Sequence, residues 1–334
     1  MTITTAAYAR AGLIGNPSDG YFGKTISFII RDFAATVSLR ESDHLEILPG
    51  ENDLARYASV AEFLRDQKLF GYYGGIRLIK ATIKRLQDWC RENAIALHDR
   101  SFTIEYSSNI PRLVGLAGSS AIVTATMRTL LQFYGVQIPK YILPNLILSV
   151  EKDELGIAAG LQDRVIQTYE GIVYMDFDRS LMESRGYGIY QEFQPQEMPP
   201  IYVAYDPSCA EVSDVLHKNL RQLFNSGDKT VVAAMQRYRE LTDVAKDALS
   251  DGDWETLGKL MNENFDLRRS ILNIPPEHIK MVETARSTGA SAKFCGSGGA
   301  ICGLFHDEAH YQKLVDTLAT IGCTVLKPKI FVES

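Results

Sequence analysis

Residues 109–135 read NIPRLVGLAGSSAIVTATMRTLLQFYG. The stretch opens at Pro111, runs through Gly115, Ala117, Gly118, Ser119 and Ser120, and passes into a long apolar-periodic segment. A strand-like run, SFTIEYSS (101–108), precedes it, so the small residues sit where a strand hands over to a helix. A helix start carries unbonded N–H groups and the positive end of the helix dipole. Small side chains let a ligand reach that backbone, and the combination suits an anion, phosphate above all. Gly and Ser are also ordinary residues at a helix N-terminus. Taken alone, the loop leaves phosphate binding and simple capping both open.

Upstream, β-like runs alternate with turns: YARAGLIG (8–15), KTISFII (24–30), ATVSLRES (35–42) and HLEIL (44–48). Two helical stretches follow. The second, GIRLIKATIKRLQDWCRENAI (75–95), carries Ile76, Ile79, Ile83, Leu86 and Trp89 at helical spacing. Downstream, PKYILPNLILSVEKDELG (139–156) predicts a helix kinked or started at Pro144, and GIVYMDF (171–177) a strand. Residues 178–200 read as irregular, with QEFQPQEMPP (191–200) as the linker. A strand IYVAYDP (201–207) and helical stretches over 214–287 come next. The chain ends β–turn–β–α–β, in SAKFCGSGGAICGLF (291–305), DEAHYQKLVDTLATIG (307–322) and TVLKPKIF (324–331). This order predicts a two-domain α+β protein, divided into 1–197 and 198–334.

The 334 residues are 46% hydrophobic and 23% charged, enough for a sizeable core. Lys+Arg 35 against Asp+Glu 41 gives a formal net charge of -6, and no dense basic run argues for a nucleic-acid partner. No apolar run is long enough to span a bilayer, and MTITTAAYARAGLIG lacks the charged and apolar regions of a secretion signal. Cys90, Cys209, Cys295, Cys302 and Cys323 are odd in number and scattered, which predicts free thiols and a cytoplasmic location.

Three patterns imitate other sites. GYFGKT (20–25) ends like a P-loop, but that spacing needs glycine at position 18, which is Ser18, and a β-like run follows. HDEAH (306–310) lacks the Glu directly after the first His that a zinc protease needs, and reads as capping chemistry. LFGYYGG (69–75) reads as packing more readily than as an adenine pocket. Two other stretches change the reading of the opening loop. KFCGSGGAICGLF (293–305) is a second glycine-rich turn between apolar runs. VEKDELGIAAGLQDRVIQTYEG (150–171) sets Glu151 and Asp163 among small, apolar neighbours.

In family order and across essentially the whole chain, these motifs resemble those of the GHMP kinases, the superfamily of galactokinase, homoserine kinase and mevalonate kinase. The first motif stands as ARAGLIGNPSD, with Arg10 at its basic position. The second stands as PRLVGLAGSS, with one alanine, Ala117, inserted before the second glycine. The third is KFCGSGGAICG. Galactokinase's Glu-His after the first motif glycine is replaced here by Asn16-Pro17, while Asp19 keeps the later carboxylate. ARAGLIGNPSDGYFGKTIS, YYGGIRLIKA and the inserted loop residue look closest to the glucuronokinase branch, sugar 1-kinases acting on D-glucuronate.

The resemblance implies an N-terminal domain with a left-handed βαβ unit and a C-terminal ferredoxin-like domain. It also implies ATP-dependent transfer to a sugar's anomeric hydroxyl with Mg²⁺. Pro111, Gly115, Leu116, Ala117, Gly118, Ser119, Ser120 and Ala121 would bind ATP. Ser120 and Glu151 would hold the metal, although the sequence does not separate Ser120 from Ser119. Asp163 would accept or orient the hydroxyl proton, with Arg10 near it neutralising charge on the transferred group. Asn16, Ser18 and Asp19 would read sugar hydroxyls, and Gly296, Ser297, Gly298 and Gly299 would press a backbone turn against phosphates or substrate. A uronate needs a cation; Lys24 ranks ahead of Arg112 and Arg164. Heptose, fucose and galacturonate are the alternative substrates, and an inactive ligand sensor is the reading from another class. A monomer or homodimer acting on a small sugar or uronic acid is the expected working form.

Overall fold

The computed structural model describes residues 2–50, 53, 59–60, 74–194, 198–209 and 214–332. Residues 69–73 of LFGYYGG and 195–197 of the expected linker therefore lie outside the described residues. The chain forms two compact units, each assembled from separated segments. One comprises Met1–Ala9, Asp32–Pro111 and Ala117–Thr168. The other comprises Arg10–Arg31, Arg112–Leu116 and Tyr169–Ser334.

The first two strands are long: β1 (Thr2–Ile14) and β2 (Lys24–Glu41). The sequence suggests two strands within 24–42, but RDFA (31–34) between them holds no glycine or proline to break the chain, and it runs on extended. In the first unit, the later part of β2 pairs antiparallel with a strand at 102–108, Ala35 opposite Ser108 and Glu41 opposite Phe102. The short β3 (Glu46–Ile47) adds in parallel to that same strand. Helix α1 (Gly75–Glu92) turns Leu78, Ile79, Thr82, Leu86 and Cys90 inward, one face of a 3.6-residue period. The partner strand, β4 (Phe102–Ser108), leads into α2 (Gly118–Tyr134). Every residue of α2 from Ser120 to Met127 is buried, and Gly135 ends the helix in a left-handed cap. Pro144 stands in the first turn of α3 (Leu143–Ser149), where a missing N–H costs nothing. A single π-helical turn, Val150–Glu154, continues it. Helix α4 (Gln162–Tyr169) completes the elements around the loop.

In the second unit, β5 (Ile172–Asp176) pairs antiparallel with the start of β2, Lys24 opposite Asp176. The stretch expected to be irregular instead forms α5 (Arg179–Arg185) and β6 (Ile189–Phe193), the latter paired with β5. α5 buries no residue, so no apolar period betrays it. Its start is set by the Asp178 side chain accepting from the Ser180 N–H. After β7 (Ile201–Tyr205) come α6 (Asp214–Asn225), α7 (Lys229–Asp251), α8 (Trp254–Ile271) and α9 (Pro276–Ser287). The chain closes with β8 (Lys293–Phe294), β9 (Ala300–Leu304), α10 (Glu308–Ala319) and β10 (Thr324–Leu326). The four strands form an antiparallel sheet in the order β10–β7–β9–β8. Its core gathers Tyr202, Phe265, Met281, Phe294, Ile301, Leu314 and Leu318.

Asp307 of HDEAH caps α10 by accepting from the His310 N–H, and the His306 and His310 rings stack with centroids 4.8 Å apart. All five cysteines are free thiols. Among the described residues, no helix is long and apolar enough to cross a membrane.

Candidate active site

In the first unit the site grows from the start of α2. Ala117 is its N-cap residue and takes a left-handed conformation (φ 60°) that side chains beyond glycine adopt at a cost of about 1–2 kcal/mol. The inserted alanine thus makes the turn that swings the chain into the helix. Its carbonyl accepts from Ser120 Oγ at 3.1 Å and from Gln167 Nε2 at 3.1 Å. Ser119 Oγ points the other way and donates to Glu151 Oε1 at 2.9 Å.

Glu151 sits in the π-helical turn and is 1% exposed. Such single π turns are frequent at functional sites because the wider turn re-aims a side chain. Its second oxygen receives Arg164 Nη2 in an ion pair buried on both sides. Arg164 Nη1 donates to the Gly160 carbonyl at 3.0 Å and lies 3.4 Å from Asp163 Oδ2. One guanidinium therefore serves both acids named from the sequence. Asp163 stays partly open to solvent in the first turn of α4, its side chain 20% exposed.

In the second unit the loop's first half joins the other two motifs through its backbone. Arg10 is buried, and its Nη1 donates to the carbonyls of Gly115 (2.6 Å) and Cys295 (3.3 Å). The Arg10 N–H donates to the Leu116 carbonyl at 3.2 Å, and the Gly12 N–H to Cys295 O at 2.8 Å. A Cβ on Gly115 (φ 74°) would stand 2.8 Å from the Gly298 carbonyl oxygen. A Cβ on Gly296 would overlap the Gly115 carbonyl oxygen and meet Arg10 Nη1 at 2.8 Å. Glycine is required at both positions so that two backbones can touch. Gly299 is likewise close-packed, against Val114 and Cys209.

Two buried cations hold this arrangement and were not singled out from the sequence. Lys293, fully buried, donates to Gly12 O (2.6 Å), Asn16 Oδ1 (2.7 Å) and Phe294 O (2.8 Å). Burial pulls its pKa down to about 8; the Cys302 and Cys295 thiols oppose that, and the Arg268 and Arg10 charges reinforce it. Arg268, on α8, donates to the carbonyls of Gly296 (2.8 Å) and Ser297 (3.2 Å), which turns those carbonyls toward the helix. Asn264, one turn earlier, accepts from the Gly15 N–H at 2.7 Å and donates to Asn16 O at 3.2 Å.

The loop expected to read a sugar is partly occupied with its own structure. Asn16 is buried against Lys293, and Ser18, fully buried, donates to the Lys24 carbonyl at 3.0 Å. Asp19 lies in the 3₁₀ turn Ser18–Tyr21 and is half-buried. Lys24 Nζ is held by Asp243 Oδ2 at 2.7 Å and Asp176 Oδ2 at 3.5 Å. Burial works to lower its pKa, and the Asp243 hydrogen bond with the Tyr174 and Asp176 charges outweighs it and holds the ammonium above its usual range. Lys24 and Thr25 open a strand rather than a helix, unlike a P-loop.

Comparison with known proteins follows the same plan. The family profile described as GHMP kinases N terminal domain matches residues 77–171, and that described as GHMP kinases C terminal matches residues 245–321. "Probable glucuronokinase 2" of Arabidopsis thaliana is 45% identical over 302 residues, covering 88% of this chain and 82% of that protein. "Glucuronokinase 1" of the same plant is 44% identical over 301 residues, covering 88% and 83%. The structure of Lactococcus lactis galactokinase complexed with galactose matches with a TM-score of 0.78, over 98% of this chain and 93% of that one. At 15% identity that likeness is one of fold. Two family domains matched in chain order, with relatives at this identity over most of the length, make the protein a member of the GHMP kinase family.

Proposed function

We propose that the protein transfers the γ-phosphoryl group of ATP to the anomeric hydroxyl of D-glucuronate, giving glucuronate 1-phosphate and ADP. The reading is supported by the 44–45% identity to the two glucuronokinases. The observation that carries it is the Ser119–Glu151 pair at the start of α2, where two hard oxygen donors meet an anion-binding helix terminus.

Kinases of this family use ATP with a divalent metal. The residues present fit magnesium: one carboxylate and one hydroxyl, leaving other positions to phosphate oxygens and water. Among the described residues no group of three His, Cys, Asp or Glu forms a self-sufficient metal cage. We take Glu151 and a serine of the Ser119–Ser120 pair as the holders; it is Ser119 whose hydroxyl lies on Glu151, while Ser120 ties down the Ala117 carbonyl. When bound, magnesium neutralises charge on the β- and γ-phosphates.

The chain's own residues do the rest. The backbone from Gly115 to Ala121, entered at Pro111, would cradle the phosphates. Arg10, its guanidinium fixed by two carbonyls, would oppose charge on the transferred group. Asp163 would orient the sugar hydroxyl and take its proton, a contribution of about 10²–10⁴ in rate. The Gly296–Gly299 turn and the Asn16–Lys24 loop would shape the sugar site. Residues 1–197 would supply the phosphate loop and the acids, and residues 198–334 the glycine-rich turn. Five free thiols suit work in the reducing cytoplasm.

The test is ADP release with magnesium and ATP across D-glucuronate, D-galacturonate, D-galactose, L-fucose and a heptose. Glucuronate-selective turnover to a 1-phosphate is expected. Turnover of a neutral sugar alone would keep the kinase and overturn the substrate. ATP binding without turnover on any of the five would favour a sensor.

A further inference from the structure

If the substrate is a sugar acid, something must receive its carboxylate, and the cations around the Asn16–Lys24 loop are nearly all engaged. Lys24 is matched by Asp243 and Asp176. Arg239 donates to the Phe22 carbonyl at 2.7 Å and lies 3.5 Å from Asp178 Oδ2. Arg268 is buried on the Gly296 and Ser297 carbonyls, and Lys293 on three acceptors of its own.

Arg221 differs. It lies on α6, exposed, and none of the described carboxylates pairs with it. Its guanidinium carbon stacks 4.7 Å from the centre of the Tyr21 ring. Its Nη2 stands 3.0 Å from where a Cβ on Gly20 would be, so the guanidinium lies close against the backbone of the turn. The placement is built rather than accidental. Leu220 and Phe224 of α6 pack with Tyr21, Val231, Met235 and Tyr238, and the Tyr21 and Phe224 rings meet edge to face at 5.0 Å. Leu220 and Phe224, on either side of Arg221 in the chain, thus anchor this part of α6 beside the Ser18–Tyr21 turn. Stacking fixes the plane of a guanidinium while leaving its N–H edge free to make two parallel bonds to one carboxylate.

We propose that Arg221, seated on the Ser18–Tyr21 turn, is the residue that receives the carboxylate of the sugar acid and so sets the preference for a uronate. The proposal rests on the glucuronate reading above. Asp19 belongs to the same turn; its charge favours hydroxyls and repels a carboxylate, so the acid end of the sugar is directed to Arg221.

Initial rates of ADP release by the full-length protein test this, with D-glucuronate against D-glucose, in wild type, Arg221→Ala and Arg221→Lys. In Arg221→Ala the KM for D-glucuronate rises about 10- to 100-fold, the loss expected for a charge-assisted bond. The kcat and the KM for ATP change little, and the relative preference for D-glucuronate over D-glucose falls by the same factor. Arg221→Lys, which keeps the charge without the planar fork, recovers part of the loss. An unchanged KM for D-glucuronate overturns the proposal. Parallel losses in kcat and ATP affinity also overturn it, because they mark a structural role. Wild-type protein that shows no preference for the uronate overturns the glucuronate reading and this subsite together.

Discussion

Arg164 is 4% exposed, Glu151 is 1% exposed, and neither charge has enough water around it to stand alone. Removing one partner of a buried pair leaves an uncompensated charge at a cost of about 3–5 kcal/mol, whereas replacing both with neutral groups of similar size is often tolerated. Arg164→Met is therefore expected to lower the unfolding free energy by about that amount. Arg164→Met combined with Glu151→Gln should regain most of it while remaining inactive, since the carboxylate proposed for the metal is gone. Denaturant titration alongside ADP release checks both halves. A double variant no more stable than the single one would mean that Glu151 is not what Arg164 stabilises. Sequence alone offers Arg164 only as a cation for the sugar acid, near the motifs and ranked with Arg112 behind Lys24. Its second and closer partner, Glu151, lies in the π turn after α3, well separated from it in the chain.

The strand pair β8–β9 and its turn depend on groups that carry no signature in sequence. Lys293 holds three acceptors, two of them backbone carbonyls, and Arg268 holds two carbonyls of the turn. Every residue has a carbonyl, so no spacing or residue type announces such partners, whereas the glycine-rich loops stand out in the sequence, and Glu151 and Asp163 are singled out by the family resemblance. α5 and β6 carry little signal for a different reason: α5 buries no residue and β6 buries Phe193 alone, so neither leaves an apolar period. Lys293 also makes the element pH-dependent. With its pKa held near about 8 by burial, the folded chain gives up this proton while the unfolded chain, with an ordinary lysine, still keeps it. Between that value and the ordinary lysine range the unfolded state binds more protons, so this group's contribution to stability rises with pH. Cys295, Cys302, Arg10 and Arg268 are the titratable and charged groups around it. The unfolding free energy of wild type relative to Lys293→Met is expected to shift in favour of wild type from about pH 7.5 to about pH 9.5. A shift the other way would mean that the three acceptors hold the ammonium charged more strongly than burial discharges it.

At the scale of the molecule, the chain's two compact units are not successive halves of the sequence. The unit that holds the β10–β7–β9–β8 sheet also takes in Arg10–Arg31 and Arg112–Leu116. Those segments supply partners that the later residues bury: Gly12 O and Asn16 Oδ1 for Lys293, the Gly15 N–H for Asn264, the Lys24 carbonyl for Thr242, and Tyr21 for the α6–α7 cluster. A fragment of residues 198–334 retains its sheet and helices but strands a fully buried ammonium and a buried amide without these acceptors and donors, and each unsatisfied polar group costs about 1–3 kcal/mol, more when charged. Several such losses are comparable to the whole stability of a domain, about 5–15 kcal/mol. The fragment expressed alone is therefore expected to show no cooperative unfolding transition, and joining residues 10–31 to it through a flexible linker should restore one in part. Circular dichroism during thermal unfolding of both fragments decides the matter. A sharp transition in the shorter fragment would mean that the sheet and its helices are sufficient, and that the first motif is a ligand-binding addition to a unit already stable.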